Sequence, residues 1–366
     1  MNRIRVAIPN NSYEVIVSSG ALGEAAKLLL PALGSPSKMV IITNATVRRA
    51  WERPLLDSFK KAKIGPAVLE MKDGERHKNI STVEELSAAM LKLGADRRSA
   101  IVALGGGVVG DTAGLLASLY MRGIKLAHVP TTLVAQIDSA IGGKTGVNLP
   151  TAKNMLGTFY QPAAVLVDPA ALATLPEREF RSGLHEALKC GVIREPAIFD
   201  FMEKERERIL QRETAALEWL ITECIRVKAQ VVEADEREAD LRRILNFGHT
   251  IGHALEAETK YSCFLHGEAV GWGMVAAAMI AAAMQKTSPA TAQRIIAAVL
   301  AYAPLPGVSV RAKNVARRVL NDKKTVDGIA HFVLPREIGR VEISSGVPER
   351  AVVQAIEELR YLSRES

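Results

Sequence analysis

Short apolar runs alternating with helical patterns dominate the first half of the chain. MVIIT (39–43), AVLEM (67–71), AIVALGGG (100–107), KLAHVPT (125–131) and AVLVD (164–168) are almost uniformly apolar and read as parallel strands buried on both faces. Between them, residues 46–61, 81–93 and 109–120 carry apolar positions at helical spacing. This alternation predicts a doubly wound α/β sheet. After VDPAALATLPEREFRSG the pattern changes to long amphipathic helices, with little strand signal before HFVLP (331–335). The charged run EKERERILQRETAALEWLITECIRVKAQVVEADERE reads as the wet faces of such helices. GWGMVAAAMIAAAM (271–284) is apolar all round yet too short to span a bilayer, which predicts a buried helix.

At 366 residues the chain exceeds the ~250–300 at which a single core stops growing. The expected organisation is therefore an α/β domain over 1–178 and a mainly helical domain over 179–366, with a cleft between them as the favoured place for a site. Composition adds little: 48% hydrophobic and 24% charged residues describe an ordinary soluble protein. The first residues lack the apolar run of a signal peptide. Cys190, Cys224 and Cys263 are odd in number and form no CxxC, so neither a disulfide framework nor a thiolate metal site is expected, and the cytoplasm is. The net charge of +7 is not gathered into a stripe or tail. It fits an anionic small-molecule substrate better than nucleic acid, and no membrane partner is expected.

Candidate chemistry is densest at 245–269, LNFGHTIGHALEAETKYSCFLHGEA, which holds three of the chain's seven histidines. His249 and His253 are four apart in a helical pattern and can share one face, while His266 opens a second helix after a turn. A zinc protease would carry glutamate after the first histidine, but Thr250 stands there. A lone histidine is more often a cap or a core residue. Three together, each beside a glycine (Gly248, Gly252, Gly267), favour a metal, because glycine lets backbone approach an ion or substrate. Glu186 lies in the apolar pattern RSGLHEALKCGVI, where a carboxylate is costly unless paired or metal-bound, so it is the candidate third ligand. Lys189, one turn on, would face the same site. Histidine with carboxylate suits zinc and its neighbours.

Other signals gather at strand ends. IVALGGGVVGD joins an apolar run, successive glycines and a helix start, a ready pyrophosphate site, with Gly105, Gly107 and Gly110 at nucleotide-fingerprint spacing. In DGERHK (73–78), Glu75 could accept from ribose hydroxyls and Lys78 add charge; Thr131 and Thr132 follow another strand. Each is common without a nucleotide, as an exposed turn or a helix cap, but all fall on the carboxyl edge of one sheet. AQIDSAIGGKTGVNLPTAKNM (135–155) is too polar for core and reads as a glycine-rich surface loop. Its Asp138, Lys144, Lys153 and Asn154 would suit a phosphorylated sugar.

DGExxK, GGGVVGD, the threonine pair, IDSAIGGKTGVN, AKNM, the Glu186 helix, NFGHTIGHALE and LHGEAV, in this order over residues 43–334, resemble the 3-dehydroquinate synthase family. Its nearer kin are other sugar-phosphate cyclases, its more distant kin the glycerol and iron alcohol dehydrogenases. The resemblance implies a Rossmann-like N-terminal domain binding NAD and a mainly helical C-terminal domain binding metal and substrate. It implies a carbon–oxygen lyase of the shikimate pathway, converting 3-deoxy-D-arabino-heptulosonate 7-phosphate to 3-dehydroquinate and phosphate by transient oxidation, elimination, reduction and cyclisation. NAD, a zinc or cobalt ion and a homodimer come with it.

Carried over by motif, the resemblance makes Glu186, His249 and His266 the metal ligands and turns His253 toward substrate as an acid/base or hydrogen-bonding group. NAD would meet Asn44, the turn Asp73, Gly74, Glu75, Arg76, His77 and Lys78, and the turn Gly107, Val108, Val109, Gly110 and Asp111. It would also meet Thr131, Thr132, Lys144, Lys153 and the segment Ala171, Leu172, Ala173 and Thr174. Substrate phosphate would meet Arg122, Lys144, Asn154 and Lys323 or Lys324, and its carboxylate Lys228, Arg242 and Asn246. Asp138 and Lys189 would hold hydroxyls, with Glu238 a further polar contact near Arg242. His185 and Cys190 depart from the residues usual in the family.

Overall fold

The computed structural model describes residues 1–9, 11–238, 240–320 and 330–365. They form two compact units, Met1–Leu175 with Gln211–Arg237, and Pro176–Leu210 with Glu238–Ser366. The chain leaves the first unit near the expected boundary at 178 but returns to it, so a single cut does not describe the division. The reason lies in the charged run. Its helix Thr214–Ala234 buries Leu217, Leu220, Ile221, Cys224 and Ile225. Its polar positions hold the N-terminal segment: Asn2 Nδ2 donates to Thr222 Oγ1 (3.3 Å), and the Ala7 amide to Glu233 Oε1 (2.7 Å). Amphipathic spacing announces such a helix but not its partner.

The first unit contains β1 (Asn2–Val6), β2 (Tyr13–Val17), β3 (Met39–Asn44), β4 (Ala67–Met71), β5 (Ala100–Gly105), β6 (Lys125–Pro130), β7 (Lys144–Leu149), β8 (Ala152–Phe159) and β9 (Ala164–Val167). Seven form one sheet in the order β1-β2-β9-β6-β5-β3-β4, parallel except for β1 with β2. The five strands expected from apolar runs are β3 to β6 and β9. The apolarity of β3, β5, β6 and β9 follows from burial on both faces, whereas β4 is an edge strand, half-buried with Glu70 exposed. Ile41, Val102 and Val129 pack with Leu29, Leu55 and Phe59 from α1 (Ala25–Leu33) and α2 (Ala45–Lys61). Val40, Ile101 and Ala103 pack with Leu86, Met90 and Leu116 from α3 (Ile80–Lys92) and α4 (Gly107–Leu119). β1 and β2 carry no such run. Charged Arg3, Arg5 and Glu14 alternate with buried positions at this edge.

The glycine-rich stretch 135–155 is more ordered than a surface loop. Ala135–Ser139 is a short helical turn, and β7 and β8 pair as an antiparallel hairpin. Thr145 Oγ1 donates to the Thr158 carbonyl at 3.0 Å, and a Cβ on Gly157 would sit 2.1 Å from the Thr145 carbonyl oxygen. Glycine here permits close strand approach, which composition alone reads as looseness.

The second unit is mainly helical: α5 (Glu177–Ile193), α6 (Pro196–Lys204), α7 (Arg206–Leu210), then, beyond α8 of the first unit (Thr214–Ala234), α9 (His249–Glu258), α10 (His266–Ala283), α11 (Pro289–Leu300), α12 (Ala312–Leu320) and α13 (Glu349–Glu365). A hairpin of β10 (His331–Glu337) and β11 (Arg340–Ser345) completes it. The apolar run at 271–284 is the body of α10, buried nearly all round as expected. No helix among the described residues is long and apolar enough to cross a membrane.

His128 on β6 is buried, and burial pushes its imidazole from 6.5 down to about 4. The folded chain thus declines a proton that the unfolded chain accepts. This stabilising contribution is present above pH 6.5 and is lost as pH falls toward 4. From this group alone, stability should drop by about 2 kcal/mol between pH 7 and pH 5. Urea denaturation at both pH values checks this, and His128→Asn should flatten the difference. An unchanged pH dependence in that variant would contradict it.

Candidate functional site

In the first unit, the residues expected to meet NAD follow the carboxyl ends of the parallel strands, except Lys144 and Lys153, which lie on the β7–β8 hairpin. The strand order reverses about β3, which lies between β4 and β5, and ligands favour such a switch point. Asn44 ends β3 and caps α2 by accepting from the Val47 amide (2.9 Å). Gly106 opens α4 and has no side chain to cap it, so the first-turn amides from Gly107 to Val109 are available to an anion; Gly110 and Asp111 follow in the helix. The glycines beside this turn also serve packing: a Cβ on Gly106 would lie 2.8 Å from Thr132 Cγ2. Thr131 and Thr132 follow β6, and Ala171, Leu172, Ala173 and Thr174 lie in a short helix after β9. Arg212 donates to the Leu172 carbonyl (2.7 Å), and Trp51 Nε1 to Thr174 Oγ1 (2.8 Å).

The DGERHK turn is fastened on both sides. Thr46 Oγ1 donates to Asp73 (2.8 Å), Arg76 Nε to His77 Nε2 (3.0 Å) and Asn148 Nδ2 to Glu75 (2.7 Å), with Gly74 at φ 102° making the bend. Buried Lys78 donates to Asp111 and to Asn154, each at 2.5 Å. Asn148 also accepts from the Asn154 amide (2.8 Å), so the hairpin and the turn form one polar assembly. Burial raises the Asp111 carboxyl above the ordinary range; Lys78 pulls it down, while Glu75 and Asp138 push it up. Lys228, from α8, donates to Asp138 Oδ1. A residue expected at the substrate carboxylate is therefore paired, in the first unit, with one expected at a hydroxyl. Arg122 follows α4 at φ 68°, and Lys144 and Lys153 lie on β7 and β8.

In the second unit, α5 carries Glu186 and Lys189, α9 carries His249 and His253, and His266 is the first residue of α10. Glu186 is fully buried; Lys189 Nζ sits 2.6 Å from its Oε2. Its Oε1 has no hydrogen-bond donor among the described residues and lies 3.6 Å from His249 Nε2 and 3.4 Å from His266 Nε2. Ligands tetrahedrally disposed about zinc at ~2.0–2.1 Å stand about 3.4 Å apart. His249 Nδ1 is 3.2 Å from the Phe247 carbonyl, which can only accept, so that nitrogen carries the proton and Nε2 the lone pair. His266 Nδ1 lies 3.5 Å from Glu256 Oε2. Burial, then the Lys189 charge and the neighbouring imidazoles, holds His249 well below the ordinary imidazole range. Burial pulls His266 down as well, but the Glu256 hydrogen bond and the Glu186 and Glu256 charges outweigh it and raise it.

Two ligand triads share His249 and His266. The three imidazoles bring nitrogens within 4.8 Å of one another, so His253 could be the third ligand. Glu186 is the alternative third. A fully buried carboxylate oxygen without a donor needs a cation, whereas His253 is exposed and can be satisfied by water. Arg242 is fully buried, and Asn246 Nδ2 donates to Glu238 Oε1 (3.1 Å). Lys323 and Lys324 lie outside the described residues.

The glycines beside the histidines serve helix packing. A Cβ on Gly252 would stand 2.9 Å from the Ala269 carbonyl oxygen, on Gly267 1.9 Å from that of Ser182, and on Gly273 1.8 Å from that of Gly248. Glu268 fixes the start of α10, accepting from the Leu265 amide (2.7 Å) and from Arg178 (2.7 and 2.8 Å). Sequence reasoning missed Glu256, Glu268, Arg178 and Asn148. Only Glu256 left a signal, as an acid on the same α9 face as His249 and His253.

Residues 68–182 match the 3-dehydroquinate synthase N-terminal family and 183–325 the 3-dehydroquinate synthase C-terminal family. The chain belongs to the 3-dehydroquinate synthase family. It is 58% identical to a 3-dehydroquinate synthase of Koribacter versatilis over 99% of both chains. Among solved structures it is similar to a 2-epi-5-epi-valiolone synthase from Streptomyces hygroscopicus with NAD+ and Zn2+ bound (30% identity, TM-score 0.88, 97% of this chain and 99% of that one). It is also similar to a 2-deoxy-scyllo-inosose synthase complexed with carbaglucose-6-phosphate, NAD+ and Co2+ (27%, TM-score 0.84, 98% and 99%).

Because α9 and α10 touch through Gly273 and Gly248, Gly273→Ala should force the helices apart. The cost should reach or exceed the ~1–3 kcal/mol typical of overpacking. Urea denaturation measures it, and wild-type stability in this variant would mean that the contact is looser than described.

Proposed function

We propose that the chain converts 3-deoxy-D-arabino-heptulosonate 7-phosphate to 3-dehydroquinate and phosphate, a carbon–oxygen lyase reaction of the shikimate pathway. The observation that carries this reading is the 58% whole-chain identity to a named 3-dehydroquinate synthase, about twice the identity to cyclases that make other rings. NAD and a divalent metal are its cofactors. When bound, NAD supplies reversible hydride acceptance and the metal supplies Lewis-acid polarisation at the carbon–oxygen bond being oxidised.

Glu186, His249 and His266 would hold the metal. The orphaned Glu186 oxygen and the two Nε2 atoms facing it support this set. His253 would exchange a proton with substrate or hydrogen-bond it, and its exposure supports that role. Lys189 and Asp138 would orient hydroxyls. The uncapped start of α4, Thr131 and Thr132 would take the NAD pyrophosphate, with Glu75 toward ribose. Arg122, Lys144 and Asn154 would hold the substrate phosphate and stabilise the charge of its departure. Lys228, Arg242 and Asn246 would take the carboxylate. Three free cysteines support a reducing cytoplasm, and exposed Met155, Leu156 and Phe159 on β8 support a homodimer. Neither nucleic acid nor membrane enters this reading.

With NAD and zinc or cobalt present, the heptulosonate phosphate should yield phosphate with no lasting rise in NADH absorbance. One NADH per phosphate would identify a dehydrogenase, and equal turnover of glucose 6-phosphate another cyclase. His266→Ala should lose metal and activity together, and His253→Ala should keep metal and lose rate; the reverse pattern would overturn the ligand set. Charge-assisted hydrogen bonds contribute roughly 1.5–3 kcal/mol, and lysine lacks the planar two-point fork. Arg242→Lys should therefore lower kcat/KM by about one to two orders of magnitude. A silent substitution would remove Arg242 from the carboxylate site.

A further inference from the structure

We propose that Glu256 is a positioning residue for His266: its carboxylate accepts the Nδ1 proton and so turns the Nε2 lone pair toward the metal. The proposal rests on the reading that Glu186, His249 and His266 are the ligands.

Glu256 is buried, with 4% of its surface exposed, and its Oε2 lies 3.5 Å from His266 Nδ1. Residues 249, 253 and 256 recur at helical spacing, so α9 presents both of its histidines and this acid on one face. The chain then reverses through Lys260 (φ 51°) and Tyr261 (φ 58°), whose amide donates to the Glu256 carbonyl at 2.7 Å. This reversal delivers His266 back to the face it left. Glu268 and Arg178 fix the backbone at that point, while Glu256 addresses the ring.

The two histidines are thus supported differently. His249 meets a neutral carbonyl, whereas His266 meets a carboxylate, which raises the basicity of the ligating nitrogen.

The test measures zinc dissociation constants by chelator competition on purified, metal-depleted protein, together with the visible spectrum of the cobalt-loaded form. Glu256→Gln keeps the size and one acceptor oxygen but removes the charge. It should weaken zinc binding by about 10–100-fold and shift the cobalt bands. Wild-type zinc affinity and an unchanged spectrum would overturn the proposal, including the case where only the melting temperature of the metal-free protein falls, which would mark a purely structural role. Should Glu256→Gln fail to fold, Glu256→Asp is read instead. It withdraws the carboxylate by one methylene, and the same two outcomes apply. His266→Ala separates this proposal from the reading beneath it: if that variant retains zinc, the ligand set has failed, whatever the Glu256 variants do.

Discussion

A carboxylate sealed from water sets the terms for the second unit. Moving such an ion out of water costs several kcal/mol even after relaxation, and it persists only with compensating charge. At Glu186 one oxygen has Lys189 at 2.6 Å, while the other, with no hydrogen-bond donor among the described residues, faces the Nε2 atoms of His249 and His266. Imidazoles that present lone pairs to a carboxylate oxygen do not satisfy it. Together the three atoms become favourable around a cation. The surrounding helices therefore hold together three groups that are mutually unfavourable without a cation, which supports the proposed ligand set.

Backbone proximity makes that site possible. α10 meets α5 at Gly267 and α9 at Gly273, each without room for a Cβ. Side chains at these contacts would widen the spacing and carry the imidazoles away from Glu186. The interior of α10 is correspondingly rich in alanine and buried nearly all round, a helix selected for close neighbours on every side.

Much of this was legible in the sequence, and what was not has identifiable causes. The central parallel strands announce themselves because burial on both faces leaves uniform apolar runs, whereas in β1, at an edge, and at the start of β2 exposed charges alternate with buried positions and give no such sign. The crowding of histidines was visible, but spacing alone made His253 as good a ligand as His249. What favours His249 over His253 in the proposed ligand set is its place beside Glu186, which is distant in sequence and enters through α5. Glycine beside each histidine reads as room for an ion or substrate, yet these glycines admit neighbouring backbone, a contact that exists only once helices pack. The return of residues 211–237 to the first unit was likewise invisible, since an amphipathic pattern fixes an apolar face and not what covers it.

The lysines carry the argument one step further. Lys78, Lys189 and Lys228 are all buried, and each is paired with a carboxylate, Asp111, Glu186 and Asp138 respectively. A net positive chain can offer bare cations to anionic ligands, yet a bare lysine taken out of water bears the full desolvation cost of its charge. Pairing sets a carboxylate against each ammonium and holds it in place. Lys78 shows the consequence: it ties Asp111 of α4 to Asn154 of the β7–β8 hairpin, so one buried charge fixes two elements at once.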